Sequence, residues 1–145
     1  MLFRSEVMYH PVEDAGGVDN SQNEFIELQN PAVTAVDVGR WRIKGDSDFS
    51  FPVGSFIAGN SYALIVSFSP TDAVALAAFR TKYGLTAATP VFGPYTPKLS
   101  NSAQPIELAR PETIAGATEY VLVDKAEYRD IAPWQIGRAS CRERV

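Results

Sequence analysis

Histidine and cysteine are all but missing: the 145-residue chain holds one of each. A single imidazole, His10, and a single thiol, Cys141, leave little for nucleophilic chemistry or for a His/Cys metal centre. Long apolar runs are missing too. None approaches the ~18 residues of a membrane-spanning helix, and the opening MLFRSEVMYHP lacks the apolar stretch of a signal peptide. No membrane insertion is expected. Positive charge is in deficit, with 13 Lys and Arg against 17 Asp and Glu and a net of −4. A broad nucleic-acid footprint needs the opposite balance, so nucleic acid is not an expected partner. What the chain does have is core: 46% hydrophobic and 11% aromatic content exclude disorder. At this length one domain buries enough surface to hold together without a disulfide or a metal.

The final ten residues, IGRASCRERV, break from what precedes them. Strand alternation stops, no turn chemistry introduces the change, and the string is what a short-read sequencing adapter encodes when translated in frame. We therefore expect one domain over residues 1–135 and a non-native tail over 136–145. Arg138, Arg142, Arg144, Glu143 and Cys141 leave with that tail, so thiol chemistry falls away and the remainder is more acidic still. The start, Met1-Leu2-Phe3, runs straight into a strand pattern, as expected of a piece of a larger protein.

Short strands between Gly, Pro, Asn and Asp punctuation dominate the rest, the pattern of an all-β sandwich or barrel. Residues 3–10 alternate. Residues 11–23 carry Asp14, Gly16, Gly17, Asp19 and Asn20, all turn formers. Residues 24–30 form a strand closed by Asn30-Pro31. Along 35–44, Val36, Val38, Trp41 and Ile43 are expected inward and Arg40, Arg42 and Lys44 outward, with a bulge or bend at Gly39. Trp41 is expected between two sheets. Residues 62–68 read as a central strand covered on both faces. One helix follows, with Ser69 as N-cap, Pro70 in the first position and Gly84 as the stop; Val74, Ala77, Ala78 and Phe79 keep helical spacing. Residues 91–93, 106–109 and 120–128 read as later strands. Side chains of Asn23, Asn30, Ser100 and Asn101 sit where they can satisfy turn backbones.

Few residues offer chemistry. His10 stands between Tyr9 and Pro11 at a strand end with no nucleophile elbow anywhere, so it reads as a polar strand-end residue rather than a catalytic base. Glu24 and Glu27, three apart on a strand, fall on opposite faces and cannot easily flank one scissile bond. Asp14, Asp19, Asn20 and Glu24 are oxygen ligands of the kind calcium takes, without EF-hand spacing; a solvated turn is the competing reading. Arg40, Arg42 and Lys44 interleave with Trp41, but alternation puts the aromatic opposite the cations, which favours a solvated sheet face over a nucleic-acid stripe. No catalytic residue, cofactor or firm metal site is expected, and the chain is read as a non-enzyme. The loops 11–23 and 86–90, long and polar or small in composition, are the best places for recognition.

The order of motifs carries a resemblance. SEVMYHP (5–11), NEFIELQN (23–30), VDVGRWRI (36–43), FSFPVGSFIAGNSYALIV (49–66), FRTKYG (79–84), VFGPYTPKLSNSAQPIEL (91–108) and YRDIAPW (128–134) stand in the order seen in the bacterial branch of the lamin-tail domain family. The resemblance implies an all-β, immunoglobulin-like β-sandwich of lamin-tail type with one short helix. Its last strand is expected to be missing, because the tail stands where the family continues. It further implies a non-catalytic accessory or adhesion module of a large secreted or cell-surface bacterial protein, hence an extracellular or cell-surface location. Protein, carbohydrate and other domains of the same chain are the implied partners. A substrate-binding accessory domain of an extracellular hydrolase or nuclease is the alternative.

Overall fold

The computed structural model describes residues 3–11, 21–45, 47–97, 99, 104–128 and 140–144; at 3–6, 8–11, 104, 126–128 and 140–144 it defines the backbone alone. Eleven strands and one α-helix are assigned among them. The first sheet has the order β11-β1-β2-β7-β8, formed by Phe3–Pro11 (β1), Phe25–Asn30 (β2), Ser61–Val66 (β7), Val91–Phe92 (β8) and Ser140–Arg144 (β11). Its pairs are antiparallel except β7 with β8. The second sheet runs β10-β9-β4-β5, from Arg42–Gly45 (β4), Phe49–Ser50 (β5), Gln104–Ile114 (β9) and Ala117–Tyr128 (β10). Val36–Asp37 (β3) and Phe56–Ile57 (β6) make a separate two-stranded ribbon.

The main core lies between the two sheets. Val7, Ile26, Leu28, Ile43, Ala63, Ile65, Ile106 and Leu108 meet there, with Tyr95 and Leu99 from the segment leading to β9. Alternation explains the choice, since odd and even residues of a strand face opposite ways. On β7 it separates Ala63 and Ile65, which face this core, from Leu64 and Val66, which face a second one. β7 is thus covered on both sides, as its unbroken apolar run leads one to expect.

The second core belongs to the helix, Ala73–Tyr83 (α1), which lies on the outer face of the first sheet. Phe79 is 2% exposed and packs edge-to-face with Phe25, Phe68 and Tyr83 at centroid separations of 6.1, 5.6 and 5.0 Å. Contacts of that geometry add ~0.5–1.5 kcal/mol each beyond the area they bury. Two expectations about the helix need correcting. Its N-cap is Asp72 rather than Ser69, with the carboxylate accepting from the Val74 and Ala75 amides, both at 3.1 Å. Pro70 instead sits in a turn closed by the Asp72 amide on the Ser69 carbonyl, so the helix starts one turn later. The buried side is Ala75, Leu76, Phe79 and Tyr83, whereas Val74 is 81% exposed. Gly84 does stop the helix: at φ 64° it turns left-handed, and the Leu85 amide bonds back to the Arg80 carbonyl at 2.8 Å.

Pairing and turns add detail that the sequence reading lacks. Residues 106–109 and 120–128 belong to one long hairpin, β9–β10, joined by Ala115-Gly116 with both φ values positive. That is the backbone of a tight two-residue hairpin turn, reached here without the Asn-Gly signal. Pro111 lies inside β9 beyond the stretch that pairs with β4, which begins at Arg42 opposite Ala109, so no β4 residue stands across from it. The bend at Gly39 is a turn in which the Trp41 amide donates to the Val38 carbonyl, and Arg40, not glycine, takes the left-handed position at φ 66°. Trp41 is half-buried and packs against the core between the sheets.

The edge that the sequence reading leaves open is occupied. β11, within the residues expected to be a non-native tail, pairs antiparallel with β1 from Glu6 opposite Arg144 to Pro11 opposite Ser140. An unpaired strand offers its N–H and C=O groups to any extended segment within reach, and main-chain pairing makes little demand on side chains.

Candidate functional site

Buried polar groups are where chemistry would be expected, and here they hold backbone. Asn30, at the end of β2, is fully buried. Its side-chain amide donates to the carbonyls of Thr34 at 2.9 Å, Ile57 at 3.0 Å and Ala58 at 3.0 Å, while Oδ1 accepts from the Ala32 amide at 3.1 Å. One side chain thus ties the turn after β2 to the segment between β6 and β7. The fit is close, since a Cβ on Gly59 would stand 2.2 Å from the Val33 carbonyl oxygen. Ser47 Oγ donates to the Pro97 carbonyl at 2.6 Å, and Ser55 Oγ to that of Pro52 at 2.8 Å.

Glu24 is the one described member of the calcium candidate set; Asp14, Asp19 and Asn20 lie outside the described residues. It is fully buried just before β2, and Oε2 accepts from the Tyr95 hydroxyl at 3.1 Å and the Leu99 amide at 3.0 Å. A carboxylate receiving such donors anchors the segment 95–99 to the first sheet. Among the described residues no three His, Cys, Asp or Glu side chains come together as a metal cluster. Glu27 lies on the opposite face of β2, pairing across to Leu64 on the helix side. His10 is a β1 residue, and its side chain lies outside the described part.

Of the two recognition loops, residues 12–20 are outside the described part, and Ser100 and Asn101 are as well. The second, 86–90, is tethered: the Arg80 guanidinium donates to the Thr86 carbonyl and, at 3.0 Å, to that of Thr89. A loop pinned at two carbonyls presents a set shape to solvent.

The cations of β4 have an aromatic partner that alternation alone does not reveal. Arg42 and Lys44 do face outward, away from Trp41. The Arg42 guanidinium lies 4.0 Å from the centroid of the Tyr120 ring, and Lys44 Nζ lies 5.8 Å from it. Tyr120 comes from β10, two strands away. The signal for it was present in the strand pattern of 120–128, but joining it to β4 requires knowing that β9 stands between them.

A family model described as Lamin Tail Domain matches residues 2–134. The chain belongs to the lamin-tail domain family. Nothing among curated proteins matches it. The lamin-tail fold is an immunoglobulin-like β-sandwich, and the two packed sheets with one short helix are that architecture. As a structural, generally non-catalytic family it accords with a domain whose buried polar groups serve its own backbone.

Proposed function

We propose that this lamin-tail domain is a non-catalytic binding module, acting as an accessory or adhesion unit of a larger secreted or cell-surface bacterial protein. The observation that carries the reading is the employment of the buried polar side chains. Asn30, Glu24, Ser47 and Ser55 are each bonded to backbone or to a buried tyrosine in the interior of the sandwich. Polar groups used in this way specify a scaffold, and a rigid scaffold with open surface is what recognition modules offer. No helix among the described residues is long and apolar enough to cross a membrane.

The test is an activity and binding panel on the whole chain. Polysaccharide, peptide and nucleic-acid substrates are expected to survive prolonged incubation intact. Turnover that disappears in His10→Ala or Glu27→Ala would overturn the reading.

A further inference from the structure

We propose that the outer face of the four-stranded sheet is a docking surface for an acidic protein segment, with Arg42 as its anchor. The proposal deepens the binding-module reading and rests on it. A sandwich has two outer faces. On the first sheet that face is covered by α1 through Phe25, Leu64, Val66 and Phe79. On the second sheet nothing among the described residues covers it, and Leu122 stands 54% exposed there.

The register organises what this face presents. Ser50, Arg42, Ala109 and Leu122 form one cross-strand row, and Lys44, Glu107 and Lys125 the next. Lys125 Nζ lies 3.8 Å from Glu107 Oε1, so the one carboxylate in these rows is already partnered. Arg42 and Lys44 remain. Among the described residues neither makes a hydrogen bond or salt bridge through its side chain; both lean on Tyr120. The face is thus locally positive on a chain whose net charge is −4.

Stacking on a tyrosine fixes the guanidinium without consuming its donors. Arg42 is therefore a carboxylate fork ordered before its ligand arrives, which lowers the entropy cost of binding. Leu122 lies in the same row two strands away, about 9.5 Å at ordinary strand spacing, and supplies an apolar contact beside the charge. Arginine with an exposed apolar neighbour is the composition of a protein-binding centre. Polysaccharide fits less well, because sugars stack on open aromatic faces and Arg42 already occupies the ring of Tyr120. Nucleic acid offers phosphate charge to Arg42 but no apolar group for the exposed Leu122, so it matches half of the surface.

The experiment is fluorescence anisotropy of the whole chain with a labelled random copolymer of glutamate and tyrosine, at low and high salt. Polygalacturonate and duplex DNA at matched charge serve as the other arms. Binding of the copolymer is expected, weakened by salt and by at least about tenfold in Arg42→Gln, the usual effect of losing charge-assisted hydrogen bonds. Tyr120→Leu, which leaves the charge but releases the guanidinium, is expected to weaken it as well, and Leu122→Ser likewise. Glu107→Gln should strengthen it, and Lys82→Gln on α1 should leave it unchanged. Circular dichroism melts confirm that each variant folds. Absence of copolymer binding, indifference to Arg42→Gln, or equal binding of polygalacturonate or DNA lost in the same variant would each overturn the proposal. Those results leave the non-catalytic reading standing, since only turnover in the activity panel removes that.

Discussion

Replacing Asn30 by alanine is expected to destabilise the domain by about 3–4 kcal/mol. The figure follows from where its four hydrogen bonds lie. The bond to the Ile57 carbonyl is buried, and the other three are part-buried. Stripping the donor from a buried carbonyl costs about 1–3 kcal/mol, because no water replaces it. At the three part-buried positions water can enter, and the net loss falls to about 0.5 kcal/mol apiece, the low end for a single bond. A domain of this kind has about 5–15 kcal/mol in hand, so the variant folds with a much reduced margin. Urea denaturation reads the effect directly, as a lower midpoint at unchanged slope. Asn30→Asp provides the discriminating comparison. It keeps the shape and the acceptor for Ala32, but turns a second oxygen toward three carbonyl oxygens, so it should be worse than alanine. An alanine variant within about 1 kcal/mol of the parent, or an aspartate variant better than alanine, would refute the assignment of Asn30 as the tie between these loops.

Trp41→Ala should cost about 2 kcal/mol, below the 3–5 kcal/mol of a fully buried aromatic, because the indole is half-buried against the core; a loss near zero in the same denaturation series would remove it from the core. Arg80→Ala should speed amide hydrogen exchange across residues 86–89 while changing global stability by less than about 1 kcal/mol, since the clamp is local. Unchanged exchange there would show that the loop holds itself. Truncation after residue 135 uncovers the edge of β1 and should lower stability by more than about 1 kcal/mol and promote aggregation. An unchanged melting temperature with a monodisperse product would count against β11 as a working strand.

Local pattern was enough for the elements whose cause is local. The apolar stretch of residues 62–68 announces a strand covered on both faces, and β7, over Ser61–Val66, is one. Asn30 before Pro31 announces a side chain that serves a turn, and it does. Gly84 ends the helix because only the left-handed conformation lets the next amides reach back. The alternation of Arg42 and Lys44 with Ile43 sets the cations outward, and Ile43 is the one in the core. Other features depend on residues far apart in the chain. Glu24 finds Tyr95 and Leu99 across 71 and 75 positions, so nothing near it in sequence distinguishes a buried anchor from a calcium ligand. The N-cap passed from Ser69 to Asp72 because the helix starts where Phe79 and Tyr83 can meet Phe25 on β2, a packing demand that local capping signals do not contain. Tyr120 joins Arg42 only because β9 lies between β10 and β4. Sequence by itself determined the faces of strands and the ends of elements, since these follow from two-residue and 3.6-residue periods and from single turn residues. Tertiary structure alone decided which faces meet, because pairing register is a property of two segments at once, and it left the Arg42–Tyr120 face of the second sheet as the one the helix does not cover.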